Sequence, residues 1–185
     1  ETKGEIFDDV PRGYWAEEYI RKLFDRGIVK GLDERSFMPG RPITRAEFTQ
    51  IIVNSLKIPY REGEVHFSDV AEKDWYYKSV SSAAAFGIIV GRPDGSFAPN
   101  ESITRQDMAV VIAKFLEKNQ GENAKGLGET LDFADRSNIS GYALDSVAAV
   151  VSQGLMVGKP GNMFDPKGLT TRAEAVTVIC KLLNY

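Results

Sequence analysis

Apolar side chains recur at helical spacing near the start of the chain. The apolar residues of this stretch are Trp15, Tyr19, Ile20, Leu23 and Phe24. The charged residues that fall on the other face are Glu17, Glu18, Arg21 and Lys22. Spacing of three and four residues is typical of an amphipathic helix, and a glycine able to adopt a left-handed conformation commonly ends one. The pattern predicts a helix that begins near Trp15 and stops at Gly27. The same pattern predicts helices over 75–86, before Gly87, and over 142–151, before Gly154.

A second kind of helix begins at a repeated threonine. The buried stripes predicted for these helices are Phe48, Ile51, Ile52 and Leu56, then Met108, Val111, Ile112 and Phe115, then Val176, Ile179, Leu182 and Leu183. Thr44 with Glu47 three residues on makes a capping box, in which the hydroxyl and the carboxylate each accept from a free backbone amide. Thr104 is followed by Asp107, whose shorter carboxylate predicts a poorer box.

These helices belong to a unit that occurs three times. Each unit has a phenylalanine-led acidic segment, a Gly-apolar-apolar-x-Gly segment, a Phe-x-Pro and a Thr-Arg motif in the same order. The separation is 37 residues from Phe7 to Thr44 and from Phe67 to Thr104, and 38 from Phe133 to Thr171. Units this short bury little surface alone, so they should pack on one another. We predict repeats over 1–60, 61–121 and 122–185 that form one cooperative domain, with a polar, Gly-rich linker loop over 119–130.

Bulk properties exclude several classes of function. The net charge of −3 gives no general attraction to nucleic acid, which would need a concentrated basic face. No apolar run reaches the length of a membrane span. His66 is the only histidine, so a catalytic set containing histidine cannot occur in every unit. Cys180 is expected to be a core residue. No metal-binding loop recurs, and we predict no cofactor, no metal site and no catalytic residues. The chain opens at Glu1 like a fragment of a longer protein.

The arginine of the Thr-Arg motif is the best candidate for a binding residue. Arg45, Arg105 and Arg172 each fall in the first turn of a helix, where the macrodipole disfavours a cation. Either they pair with internal acids, for which Asp9, Asp69 and Asp135 are candidates, or they bind an external anion. A guanidinium beside free helix amides is a good receptor for a carboxylate or phosphate.

An aromatic residue near the first helix of each unit is the second candidate. Trp15 and Trp75 can be core residues or can form a flat wall for a sugar ring, and Tyr142 stands in their place in the third unit.

The assembled pattern resembles the surface-layer homology (SLH) repeat, in three tandem copies that cover nearly the whole chain. The residues that carry the resemblance run from Phe-x-Asp-Val and Trp-Ala through Gly-Ile-x-x-Gly and Phe-x-Pro to Ile-Thr-Arg-Ala-Glu. The resemblance implies a mainly α fold, in which three two-helix repeats form a pseudo-three-fold domain around a central three-helix bundle. Two departures from the pattern are Thr-Arg-Gln-Asp in the second motif, and Arg136 with Tyr142 in the third unit.

The resemblance also implies a function. Such triplets anchor secreted bacterial surface and S-layer proteins non-covalently to the peptidoglycan-linked secondary cell wall polymer, an anionic polysaccharide. Grooves between repeats receive its terminal pyruvylated N-acetylmannosamine, and the attached domains of the parent protein are displayed. The implied ligand-binding residues are Arg45, Arg105, Arg172, Glu47, Asp107, Glu174, Trp15, Trp75, Tyr142, Asp9, Asp69, Gly31, Gly91 and Gly158.

Two hypotheses stay open at this stage. An anchor should leave the arginines open in grooves, whereas a structural or protein-interaction spacer should bury them in internal ion pairs. If the arginines face outward, Arg45→Ala should leave the fold intact. We also expect unequal grooves, with the strongest depending on Arg45 or Arg105, and a weaker one where Tyr142 replaces tryptophan.

Overall fold

Each of the six helical patterns corresponds to an α-helix. The computed structural model describes residues 6–61, 66–121 and 123–184, so the predicted boundary residues Glu1, Glu122 and Tyr185 lie outside it. Its α-helices are α1 (Glu17–Phe24), α2 (Arg45–Leu56), α3 (Tyr77–Phe86), α4 (Arg105–Gln120), α5 (Leu144–Ser152) and α6 (Arg172–Leu182). Short 3-10 turns cover Leu127–Thr130, Arg136–Asn138 and Gly141–Ala143. Across these ranges the prediction of a mainly α protein is confirmed, and none of the helices described could cross a membrane.

The first helix of each repeat begins later than its apolar pattern predicts. Trp15, Trp75 and Tyr142 precede α1, α3 and α5, in turns outside the helices. Their side chains are 56%, 57% and 65% exposed, so they are not core residues. These aromatic residues therefore present flat faces to solvent at the same place in every repeat.

The second helices begin at the threonines, as predicted. The Thr44 hydroxyl accepts from the Glu47 amide at 3.2 Å, and the Glu47 carboxylate accepts from the Thr44 amide at 3.1 Å. The same complete box occurs at Thr171. At Thr104 only the hydroxyl half forms, at 3.3 Å to the Asp107 amide, because the aspartate side chain is one methylene shorter.

A cyclic set of backbone hydrogen bonds joins the three repeats just before these helices. The Ile43 amide donates to the Thr170 carbonyl at 2.9 Å, the Thr170 amide to Ile103 at 3.0 Å, and the Ile103 amide to Ile43 at 3.0 Å. All three residues are at most 2% exposed. The third repeat thus returns to the first, which is consistent with a pseudo-three-fold arrangement.

Helix packing also crosses the repeat boundaries. α2 packs on α3, α4 packs on α5 and α6 packs on α1, so each second helix covers the first helix of the following repeat. Of the second helices, α2 and α6 also contact each other. The buried apolar side chains of all three repeats form one cluster. No repeat completes its own core, because the face of its second helix is covered by a neighbour.

The segment predicted as a linker loop is more ordered than expected. α4 continues to Gln120, and the 3-10 turn Leu127–Thr130 packs on α5. The Asp145 carboxylate accepts from the amides of Gly126 and Gly128 at 3.1 and 2.8 Å. A Cβ on Gly128 would lie 2.9 Å from the Leu144 Cβ, so glycine is needed for this close approach. The loop prediction is therefore wrong at both ends of 119–130.

Removal of the third repeat, residues 122–185, should abolish cooperative folding. Without it α1 loses α6, α4 loses α5, and the apolar faces that they cover become exposed. We expect aggregation, or a broad thermal transition by circular dichroism. A soluble two-repeat fragment with one sharp unfolding transition would contradict the closed arrangement.

Candidate functional site

The side chain of each motif arginine leaves its own repeat. Its Nε donates to the carbonyl of the Phe-x-Pro phenylalanine in the next repeat, at 2.8–2.9 Å. These bonds run from Arg45 to Phe97, from Arg105 to Phe164 and from Arg172 to Phe37. The guanidinium carbons also lie 4.5–5.1 Å from the centroids of the same phenylalanine rings. One residue therefore supplies both a hydrogen-bond acceptor and a π face to the arginine.

The aspartates of the acidic segments hold the same phenylalanine from the other side. Both oxygens of Asp135 accept from backbone amides, those of Phe164 and Asp165, at 2.8 and 2.7 Å. Asp9 and Asp69 bind the equivalent amides of their own repeats. The second residue of each clamped pair has a left-handed backbone, with φ between 55° and 58°, and these residues are Met38, Ala98 and Asp165. The two hydrogen bonds help to offset that strain.

The three arginines do not share either of the two expected arrangements. Arg105 and Arg172 are 5% and 6% exposed, so they are not open side chains. They donate from Nη2 to the carbonyls of Val157 and Lys30, at 2.8 and 2.9 Å. In the described residues, ion pairs with the aspartates of the acidic segments do not occur, because those carboxylates bind backbone amides instead.

Arg45 differs from the other two arginines. It is partly exposed, and within the described parts of the chain its terminal Nη groups have no hydrogen-bond partner. Burial lowers the pKa of all three guanidinium groups. The carboxylate that most opposes this lowering of the pKa is Asp107 for Arg45, Glu174 for Arg105 and Glu47 for Arg172.

Three grooves lie between the repeats, and every groove draws on all three. Each takes the arginine from one repeat, the Gly-apolar segment and motif carboxylate from the next, and the aromatic residue from the remaining one. The Arg45 groove contains Gly91, Asp107 and Tyr142, and its volume is about 520 Å³. The Arg105 groove contains Gly158, Glu174 and Trp15, at about 170 Å³. The Arg172 groove contains Gly31, Glu47 and Trp75, at about 380 Å³.

Most of the candidate residues therefore come together in grooves, with two exceptions. Asp9 and Asp69 do not line a groove and are bound to backbone amides. The glycines have a packing role as well: a Cβ on Gly91 would lie 2.6 Å from the Phe67 ring. Gly31 and Gly158 approach Phe7 and Phe133 in the same way.

Tyr142 lies in the groove of Arg45, a pairing that sequence analysis did not anticipate. Its hydroxyl donates to the Asp107 carboxylate at 2.7 Å and accepts from the Gln106 side-chain amide at 2.9 Å. Gln106 is 2% exposed and makes two hydrogen bonds with Ser140. Its side-chain NH2 group donates to the Ser140 hydroxyl, and its side-chain oxygen accepts from the Ser140 backbone amide. The roles of Gln106 and Ser140 were not predicted from the sequence. The sequence feature that could have indicated these roles is Gln106 itself, because the other two motifs have alanine at this position.

Arg136, the other departure in the third unit, serves the preceding segment. Its guanidinium donates to the Gly128 carbonyl at 3.2 and 3.3 Å. It holds the 3-10 turn Leu127–Thr130 in place and does not line any of the three grooves.

The arginine contacts predict a loss of stability on replacement by alanine, in contrast to the expectation from sequence that Arg45→Ala leaves the fold intact. Arg105→Ala should lower the free energy of unfolding by about 3 kcal/mol, because a buried carbonyl and a part-buried one each lose a charged donor. Arg45→Ala, the matched variant, should cost about 1.5 kcal/mol, because only one such bond is lost. Urea unfolding measures both. Equal losses, or no loss in Arg105→Ala, would contradict this reading.

Comparison with known proteins adds a family match. The model of the S-layer homology domain family matches residues 6–49, 66–109 and 132–176, one match per repeat. Exoglucanase XynX of Acetivibrio thermocellus is 37% identical over 183 residues, which is 98% of this chain and 16% of that protein.

Two further relatives show the same unequal coverage. Amylopullulanase of Thermoanaerobacterium thermosulfurigenes is 38% identical over 96% of this chain and 9% of its own length. S-layer protein sap of Bacillus anthracis is 30% identical over 96% of this chain and 21% of its own length. The chain thus spans less than a quarter of these relatives.

Proposed function

The chain belongs to the S-layer homology domain family, and we propose that it anchors a secreted protein to the bacterial cell wall. The proposed partner is the peptidoglycan-linked secondary cell wall polymer, an anionic polysaccharide bound without covalent attachment. The observation that carries this proposal is the set of three grooves that repeat one combination of groups: an arginine, a carboxylate and an exposed aromatic ring.

The proposed ligand is the terminal pyruvylated N-acetylmannosamine of that polymer. The pyruvyl carboxylate would accept from guanidinium donors such as the Nη groups of Arg45. Sugar hydroxyls would donate to the motif carboxylate, and the aromatic ring would cover the apolar face of the sugar. Apolar side chains in the Arg45 groove, Val90, Val110 and Val111, would contact methyl groups of the pyruvyl ketal or the acetamide.

The chain would act at the cell surface as an anchor for attached domains and not as an enzyme. Two relatives are named as carbohydrate-active enzymes and one as an S-layer protein, yet all three match over nearly the whole of this chain. A domain that two enzymes and an S-layer protein share would perform a function that all three need. Attachment to the wall is such a function.

A structural or protein-interaction spacer is the second candidate. The burial of Arg105 and Arg172 against backbone carbonyls favours it, because these side chains hold the repeats together whether or not a ligand is present. The two candidates differ in one respect: a spacer has no need of the wall polymer.

The purified chain should sediment with wall sacculi that carry their polymer. It should stay in the supernatant once the polymer has been removed by acid extraction, because the recognition groups then have no anion to bind. The measurement is the bound fraction in a pull-down at matched peptidoglycan mass. Equal retention on bare peptidoglycan would contradict the proposed partner.

Titration with a pyruvylated N-acetylmannosamine should show at least about tenfold tighter binding than titration with its non-pyruvylated counterpart. The difference corresponds to one hydrogen bond between charged groups. Binding of the acidic sugar should also weaken as salt is added, because part of the attraction is Coulombic. Calorimetry measures both effects, and equal affinity for the two sugars would argue against carboxylate recognition.

A further inference from the structure

The second motif leaves its groove in a different state from the other two. In the first and third motifs the glutamate carboxylate turns back to cap its own helix, at 3.1 Å for Glu47 and 2.9 Å for Glu174. Their other carboxylate oxygen faces a cation: Arg41 lies 2.6 Å from Glu47, and Arg105 lies 3.6 Å from Glu174. These two carboxylates are therefore occupied inside the protein.

Asp107 is too short to close the capping box, and in the described structure three groups of the Arg45 groove have unused hydrogen-bonding capacity. The Thr104 amide, which the box would have bound, has no partner among the described residues. One Asp107 oxygen accepts from Tyr142, and the other has no hydrogen-bond partner in the described structure. The Nη groups of Arg45 are also unused there, unlike Nη2 of Arg105 and Arg172.

A buried network holds Asp107 in this position. The Tyr142 hydroxyl that binds Asp107 is itself fixed by the Gln106 side-chain amide, at 2.9 Å. Gln106 in turn donates to the Ser140 hydroxyl at 3.1 Å and accepts from the Ser140 backbone amide at 3.0 Å. Gln106 and Asp107 of the second motif thus meet Tyr142 of the third repeat, so these departures from the common pattern act together.

In the other two grooves the guanidinium group is nearly buried, since Arg105 and Arg172 are only 5% and 6% exposed, and Nη2 of each already binds a carbonyl. An anion that used Nη2 of Arg105 or Arg172 would compete with the carbonyl of Val157 or Lys30 for that group. In the Arg45 groove the Nη groups of Arg45, the Thr104 amide and one Asp107 oxygen have no partner among the described residues. This groove is also the largest of the three, at about 520 Å³.

We propose that the Arg45 groove is the principal receptor for the acidic sugar, with Asp107 as its specificity-determining acceptor. The ligand carboxylate binds Arg45 Nη, and a sugar hydroxyl donates to the free oxygen of Asp107. Gln106 and Tyr142 are positioning residues that keep Asp107 turned away from its own helix cap. This inference rests on the proposed function, since it assigns that function's ligand to one groove.

Asp107→Glu is the sharpest test, because it restores the motif acid of the other repeats and keeps the charge. The longer side chain should fold back onto the Thr104 amide, as Glu47 and Glu174 do on their own caps. We expect the affinity for a pyruvylated N-acetylmannosamine to fall by about tenfold, while the urea midpoint does not fall. Glu117→Asp, a carboxylate exchange on the exposed side of the same helix, is the matched control and should change neither.

Tyr142→Phe provides a second variant that keeps the aromatic ring. It removes the hydroxyl that holds Asp107, so it should weaken binding several-fold, whereas Tyr142 acting only as a stacking surface would leave the affinity unchanged. In the wild-type chain, the backbone amide signal of Thr104 should shift in nuclear magnetic resonance spectra as the sugar is added.

The outcomes separate this inference from the proposed function. Tight binding that survives Asp107→Glu and is lost instead in Glu174→Asp or Glu47→Asp would overturn the choice of groove and leave the anchoring function standing. No saturable binding of either sugar by the wild-type chain would overturn the proposed ligand and this inference together. Loss of affinity in Asp107→Glu, with a shifted Thr104 signal in the wild type, supports both.

Discussion

The closed arrangement of the repeats depends on an arginine that crosses each repeat boundary to reach a phenylalanine carbonyl. A cation in the first turn of a helix is disfavoured by the macrodipole. Here the guanidinium leaves its own helix and finds a carbonyl and an aromatic face in the next repeat. The same contact occurs at all three boundaries, together with the backbone ring through Ile43, Ile103 and Thr170. Three copies are needed because the third must return to the first.

This contact also explains how one side chain can serve structure and recognition. A guanidinium has five donors, and the structural bond uses only Nε. Whether the remaining donors are available depends on the neighbouring loop, which binds Nη2 of Arg105 and Arg172, whereas the Nη groups of Arg45 have no partner in the part of the chain that the structure describes. Three nearly equivalent repeats can thereby form grooves that differ in the number of hydrogen-bonding groups available to a ligand. Asp107, one methylene shorter than glutamate and bound by Tyr142, adds a carboxylate oxygen that has no partner among the described residues.

Local features of the fold could be read from the sequence. Apolar periodicity gave all six helices, and the Thr-x-x-Glu spacing gave two complete capping boxes and the incomplete one at Asp107. Such features depend on residues within a few positions of each other. The first helices begin later than predicted because the aromatic residues before them, such as Trp15 and Trp75, lie in exposed turns. Apolar periodicity alone does not distinguish a residue in such a turn from the first residue of the helix.

Long-range features could not be read in the same way. Periodicity does not say which repeat supplies which wall of a groove, so Tyr142 was not paired with Arg45. The aspartates of the acidic segments were reasonable partners for the arginines by charge alone. Two nearby backbone amides satisfy each of these carboxylates better, because both oxygens are used. Gln106 was visible as a departure from alanine, but its partner Ser140 lies 34 residues away.

The most direct test of the account is a crystal structure of the chain with a bound pyruvylated N-acetylmannosamine. The account predicts electron density for the sugar in the Arg45 groove, with its carboxylate within hydrogen-bond distance of Arg45 Nη and a hydroxyl on Asp107. The Arg45–Phe97 bond should remain in place beneath it. Sugar density confined to the Arg105 or Arg172 groove, or lying outside all three, would contradict the account.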